Sequence, residues 1–99
     1  MDLTGKQVLV AGLGKSGIVA GALLKKMGCM VCLFDGNEKF DRSAWEKTYP
    51  VFSDCPLWIG ELPDAAVQEM ELAVVSPGIP LDTPVILKLQ AAGVPVVGE

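Results

Sequence analysis

Short, wholly apolar runs alternate along this chain with stretches whose apolar positions recur every three or four residues. Gln7-Val8-Leu9-Val10-Ala11 is too short for a helix, partly β-branched and bounded by glycine, which predicts a strand buried on both faces. Beyond a glycine-rich turn, Val19, Ala20, Leu23 and Met27 recur at helical spacing while Lys25 and Lys26 fall off that stripe. A helix is therefore expected from near Ser16, with that stripe toward the core and Gly28 as its left-handed terminator. Met30-Val31-Cys32-Leu33-Phe34 is a second buried run, stopped by the turn formers Asp35-Gly36-Asn37. Strand, helix and strand within about thirty residues make a βαβ unit.

From Glu38 to Leu62 the pattern is weakest. Asp41 is placed to cap a short helix through Ser43, Trp45 and Lys47, and Val51-Phe52 reads as a short strand. Pro63 and Asp64 introduce a brief helix through Ala65–Met70 with a proline in its first turn, and Leu72-Ala73-Val74-Val75 is a third clear strand. It runs into Ser76-Pro77-Gly78-Ile79-Pro80, where two prolines forbid a helix and a glycine permits an unusual turn. Asp82 or Thr83 then caps a helix that has Pro84 at its first position and ends at Gly93. Val94-Pro95-Val96-Val97 is a last strand, and its proline places it at a sheet edge or sits just inside the strand's start. The whole predicts an α/β fold: a Rossmann-like parallel sheet of about five strands with helices on both faces.

Composition narrows the classes. A chain of 99 residues that is 51% hydrophobic suits one small domain, taken as residues 1–99, without room for a second core. Eight basic residues against twelve acidic ones give a net charge of −4. The basic residues are scattered, so no stripe exists to displace counterions from a nucleic acid. No apolar segment approaches the roughly 20 residues of a membrane span, and no signal-like start is present. Three cysteines, an odd number, argue against a disulfide framework, and the expected location is cytoplasmic.

The chemistry gathers at Gly12-Leu13-Gly14-Lys15-Ser16-Gly17. The G-x-G-x-x-G spacing lies directly between a strand and a helix. There the first glycine allows the tight turn, the second lets backbone approach a phosphate, and the third lets the helix pack on the sheet. Free amides at the helix start, backed by the helix dipole, then face an anion. Lys15 and Ser16 add side-chain donors. Asp35, about twenty residues on and closing the second strand, is placed to accept hydrogen bonds from a ribose or base, although Asp-Gly is equally a turn pair. The loops at Gly12–Gly17, Asp35–Asn37 and Ser76–Pro80 all follow carboxyl ends of strands, so one ligand can touch all three.

Two motifs are set aside. Gly14-Lys15-Ser16 resembles the tail of a P-loop, but Leu9 stands where that loop needs a glycine. Cys29-Met30-Val31-Cys32 has redox or zinc spacing, yet residues three apart on a strand point to opposite faces, so core cysteines are expected and no metal.

Taken together, Gly5–Gly17, Asp35, Val74–Pro80 and Gly93–Glu99 resemble the N-terminal domain of the Mur ligases, in particular the branch that adds D-glutamate to UDP-N-acetylmuramoyl-L-alanine. The resemblance covers about half the chain, and the pairing of the glycine turn with Ser-Pro-Gly-Ile-Pro makes it specific. It implies that this domain holds the UDP part of the substrate, with Gly14, Lys15, Ser16 and Gly17 at the diphosphate, Asp35 and Gly36 at the uracil end, and Gly78 on the phosphate or sugar side. Some members carry a basic residue soon after the acidic one; here Asn37 and Glu38 precede Lys39. The family's reaction forms an acyl phosphate with ATP and magnesium, which the amine of D-glutamate attacks. Its ATP loop and catalytic residues lie in a later domain. The resemblance thus implies that this chain is the N-terminal piece of a longer ligase, ending at Glu99, which binds substrate with no cofactor of its own and does not catalyse. Two other readings share the glycines and Asp35: an NAD(P)-binding domain of an oxidoreductase, and a module that senses a nucleotide without chemistry.

Overall fold

The computed structural model describes residues 3–98; Glu99, the expected end of the family resemblance, lies outside them. Five strands form one all-parallel sheet: β1 (Gln7–Ala11), β2 (Met30–Asp35), β3 (Leu57–Ile59), β4 (Leu72–Val75) and β5 (Val96–Gly98), in the order β3-β2-β1-β4-β5. The order reverses between β1 and β4, the doubly wound arrangement that opens a crevice at the carboxyl edge. β1 is central and buried, and its side chains alternate as the pleat requires. Val8 and Val10 enter one core, Leu9 and Ala11 the other. β5 lies at an edge, and its ladder begins only after the proline, at Val96.

One face is covered by α1 (Lys15–Lys26), α2 (Arg42–Thr48) and a single 3-10 turn at Pro50–Phe52. The other is covered by α3 (Asp64–Glu69) and α4 (Pro84–Ala91). Asp41 caps α2, its side chain accepting from the Ala44 amide at 3.1 Å. Thr83 holds the cap position of α4, but its hydroxyl donates to the Pro80 carbonyl at 2.6 Å instead of capping. Pro63 stands just before α3, at its cap position and not within its first turn.

Two expectations are overturned. The stripe Val19, Leu23 and Met27 does not face the core: Val19 is 67% and Leu23 57% exposed, and the buried face of α1 is Gly17, Gly21 and Leu24. The reason is close approach. A Cβ on Gly21 would meet Phe52 Cε1 at 3.0 Å, so the helix lies close enough to Phe52 that a methyl there would need that buried ring to give by a few tenths of an ångström. Val51-Phe52 is likewise no strand, because Pro50 starts a 3-10 turn that drives Phe52 into the core, stacked on Trp45 at 5.3 Å. The outer strand on that side is Leu57–Ile59, whose ladder with β2 runs Leu33↔Leu57, Phe34↔Trp58 and Asp35↔Ile59.

Candidate functional site

The glycine turn is built by packing as much as by flexibility. Gly12 follows β1 with φ +94, in the left-handed region, and its amide donates to the Phe34 carbonyl at 2.8 Å. A Cβ there would lie 2.7 Å from Ser76 Oγ and 3.0 Å from Ile79 Cδ1, so the first glycine seats the turn against the loop after β4. Ser76 returns the contact, its hydroxyl donating to the Gly12 carbonyl at 3.2 Å and its amide to Ala11 at 3.1 Å. The third glycine, Gly17, is tighter still: a Cβ would stand 1.9 Å from the Gly12 carbonyl oxygen. Gly14, between them, faces nothing within 4 Å, and this open side is what close approach of a ligand to backbone requires.

Gly14 is the residue before α1, no side chain caps the helix, and the Ile18 amide bonds back to Gly14 at 3.0 Å. The amides of Gly14, Lys15, Ser16 and Gly17 precede that bond and lack intrahelical partners. The first turn carries no acidic residue, and Lys25 and Lys26 end the helix. This terminus is therefore an uncompensated positive dipole end. Lys15 and Ser16 line an open hollow with Val19 and Ala20 beside it.

Asp35 closes β2 and ties two loops together. Its Oδ2 accepts from the Leu13 amide at 3.1 Å and its Oδ1 from the Asn37 amide at 2.9 Å. The turn-forming role is thus present, and it extends across to the glycine turn. Gly12, Asp35, Gly36 and Gly78 line one cleft of about 300 Å³ with Ile79 and Thr83, so the three strand-end loops do meet. Gly78 does not use the left-handed backbone its position suggested; the turn forms around Ser76, whose carbonyl accepts the Ile79 amide at 3.1 Å. Sequence reasoning missed Phe34, Thr83 and Val85 as lining residues. Only the placement of Thr83 at a helix start after the proline loop hinted at one of them.

The cysteines stand apart from this site. Cys29 enters one core and Cys32 the other, as strand geometry dictates, and both are buried and outside any disulfide. Burial pushes the Cys32 thiol up to about 11. It also raises Cys55, which Lys25 approaches at 3.7 Å while pairing with Asp54 at 2.6 Å. Such thiols are protonated at neutral pH and poor nucleophiles. Among the described residues no three His, Cys, Asp or Glu side chains gather to hold a metal, and Leu9, buried in β1, denies the turn a P-loop.

The family described as Mur ligase MurD-like, N-terminal domain, matches residues 6–98. A UDP-N-acetylmuramoylalanine–D-glutamate ligase of Lachnospira eligens is 44% identical over the whole chain, and that of Caldicellulosiruptor saccharolyticus 42%. The chain spans 22% of the length of each. Shikimate dehydrogenase from Aquifex aeolicus shares the fold with a TM-score of 0.57 over 98% of this chain and 43% of its own, at 16% identity. The glycine turn, the Asp35 tie and the Ser-Pro-Gly-Ile-Pro loop thus stand in a chain that belongs to the MurD-like N-terminal domain family of the Mur ligases.

Proposed function

We propose that this domain holds the UDP end of UDP-N-acetylmuramoyl-L-alanine for a ligase that adds D-glutamate in peptidoglycan precursor synthesis. The observation that carries the reading is the uncapped, uncompensated start of α1, reached through a turn whose first glycine, Gly12, lines a cleft shared by all three strand-end loops, while Lys15 and Ser16 line a separate hollow. The anion is the diphosphate, met by the amides of Gly14–Gly17 with Lys15 and Ser16 alongside. The uracil end lies toward Asp35 and Gly36, and Gly78 borders the phosphate or sugar side. Asp35 supports the site by fixing Leu13, and its remaining lone pairs are available to the ligand.

In this reading the chain is the N-terminal part of a longer cytoplasmic ligase. ATP, magnesium and D-glutamate belong to other parts of that enzyme, and the domain alone binds without catalysing. No described helix is long and apolar enough to cross a membrane. The runner-up, an NAD(P) site, draws on the same fold and glycines.

Calorimetric titration with UDP-N-acetylmuramoyl-L-alanine, UDP and NADH tests the choice. The two uridine ligands are expected to bind and NADH not to. Asp35→Ala should weaken both uridine ligands about tenfold by releasing Leu13, in line with a lost charge-assisted hydrogen bond. Tight NADH binding, or uridine affinity unchanged in that variant, would count against the assignment.

A further inference from the structure

One peptide bond of the glycine turn is held at both ends by side chains of two different loops. The Gly12 carbonyl accepts the Ser76 hydroxyl at 3.2 Å. The amide on the other side of the same peptide bond, that of Leu13, donates to Asp35 Oδ2 at 3.1 Å. Ser76 follows β4 and Asp35 closes β2, the two strands that flank β1. The peptide is thus clamped crosswise between the neighbouring strand ends.

The turn cannot set this orientation alone. Gly12 has φ +94 and no Cβ, so its own torsions resist rotation little, and contacts from outside must supply the restraint. Both sides of the clamp are themselves anchored. Leu13 is 5% exposed, its side chain packed in the core on the α1 side. Ser76 donates its amide to the Ala11 carbonyl at 3.1 Å and accepts the Ile79 amide at 3.1 Å.

An anion feels the result. A carbonyl oxygen carries partial negative charge and repels a phosphate that it faces. Here the Gly12 oxygen lies against Gly17, where a Cβ would stand 1.9 Å from it, and it does not come within 4 Å of the open side of Gly14. Gly78, Ile79 and Pro80 line the cleft between the loops, whereas Ser76, the residue that starts their loop, does not.

Building on the nucleotide reading above, we propose that Ser76 is a positioning residue for the diphosphate. It touches no ligand atom; it acts by holding the Gly12 carbonyl out of the anion's way, in concert with Asp35 at the other end of the same peptide bond. Removing either side chain lets that peptide rock, and removing the second then changes little.

The test is titration of the chain with inorganic diphosphate and UDP, for the wild type, Ser76→Ala, Ser76→Thr, Asp35→Ala and the Ser76→Ala, Asp35→Ala double variant. Ser76→Ala is expected to weaken both ligands by the same factor, about fivefold, the worth of one ordinary hydrogen bond. Ser76→Thr keeps the hydroxyl and should bind within about twofold of the wild type. In the Asp35→Ala background the further loss on removing Ser76 should shrink below about twofold; independent sites would multiply, and the charge removed with Asp35 cancels in this cycle. In the nitrogen-15-labelled free protein, the Leu13 amide should exchange with solvent faster in Ser76→Ala while the amides of β1 keep their rates, which general destabilisation would not give. Any of four results overturns the role of Ser76 and leaves the nucleotide reading standing: wild-type affinity in Ser76→Ala, a loss confined to UDP, a Ser76→Thr as weak as Ser76→Ala, or an undiminished loss in the Asp35→Ala background. Failure of the wild type to bind either diphosphate or UDP overturns both.

Discussion

Three glycines in one turn have three different duties, and substitution separates them. Gly17→Ala drives a methyl onto the Gly12 carbonyl oxygen, which is backbone and cannot step aside. The expected cost is about 3 kcal/mol, at the upper end of overpacking, read as a lowered urea midpoint. Gly14→Ala adds its methyl to open space at a φ of −78 that any residue accepts. Stability should then hold within about 0.5 kcal/mol while UDP affinity falls about tenfold, because the methyl would stand where the proposed site brings ligand against backbone. A Gly14→Ala protein that binds UDP like the wild type would remove this glycine from the site. Asp35 shows why residue roles were only half legible. Its spacing from the glycines was visible, but the hydrogen bond to Leu13 joins positions 22 residues apart and depends on β1 and β2 being neighbours in register.

At the scale of elements, legibility followed the strength of the local signal. β1, β2 and β4 are unbroken apolar runs, and the structure forms them where the runs lie. The α1 stripe misled because the eye counts large apolar side chains, whereas this helix buries glycines to come close to the sheet. Leu57–Ile59 escaped notice for another reason: it is a three-residue edge strand, each residue only half-buried, after a stretch with no clear period. The α2 segment was read from its cap alone, and that cap has a measurable consequence. Asp41→Ala should destabilise the fold by about 1 kcal/mol through loss of the bond to the Ala44 amide. Trp45, packed among Phe40, Tyr49 and Phe52, reports the change as an earlier fluorescence transition in urea. An unchanged midpoint would mean that this aromatic cluster, not the cap, holds the segment.

At the scale of the whole molecule, the sheet order turns local signals into a site. The glycine turn, Asp35 and the Ser76–Pro80 loop are far apart in sequence, but β2-β1-β4 pairing sets their strand ends side by side. Alternation of strands and helices predicted a parallel sheet, while which strands adjoin was supplied only by the doubly wound rule. A wider cleft of about 510 Å³ beyond Gly36 could not be read at all, since residues just after β3 (Gly60 and Leu62) and at the start of α4 (Pro84 and Val85) line it together. The central claim is that the amides opening α1 receive the ligand's diphosphate. A titration of the nitrogen-15-labelled chain with UDP, followed amide by amide by nuclear magnetic resonance, tests it directly. The account predicts the largest shifts at Gly14, Lys15, Ser16 and Gly17, with smaller ones at Gly36 and Gly78. Saturable binding that leaves those four amides unmoved and shifts others in their place would contradict it.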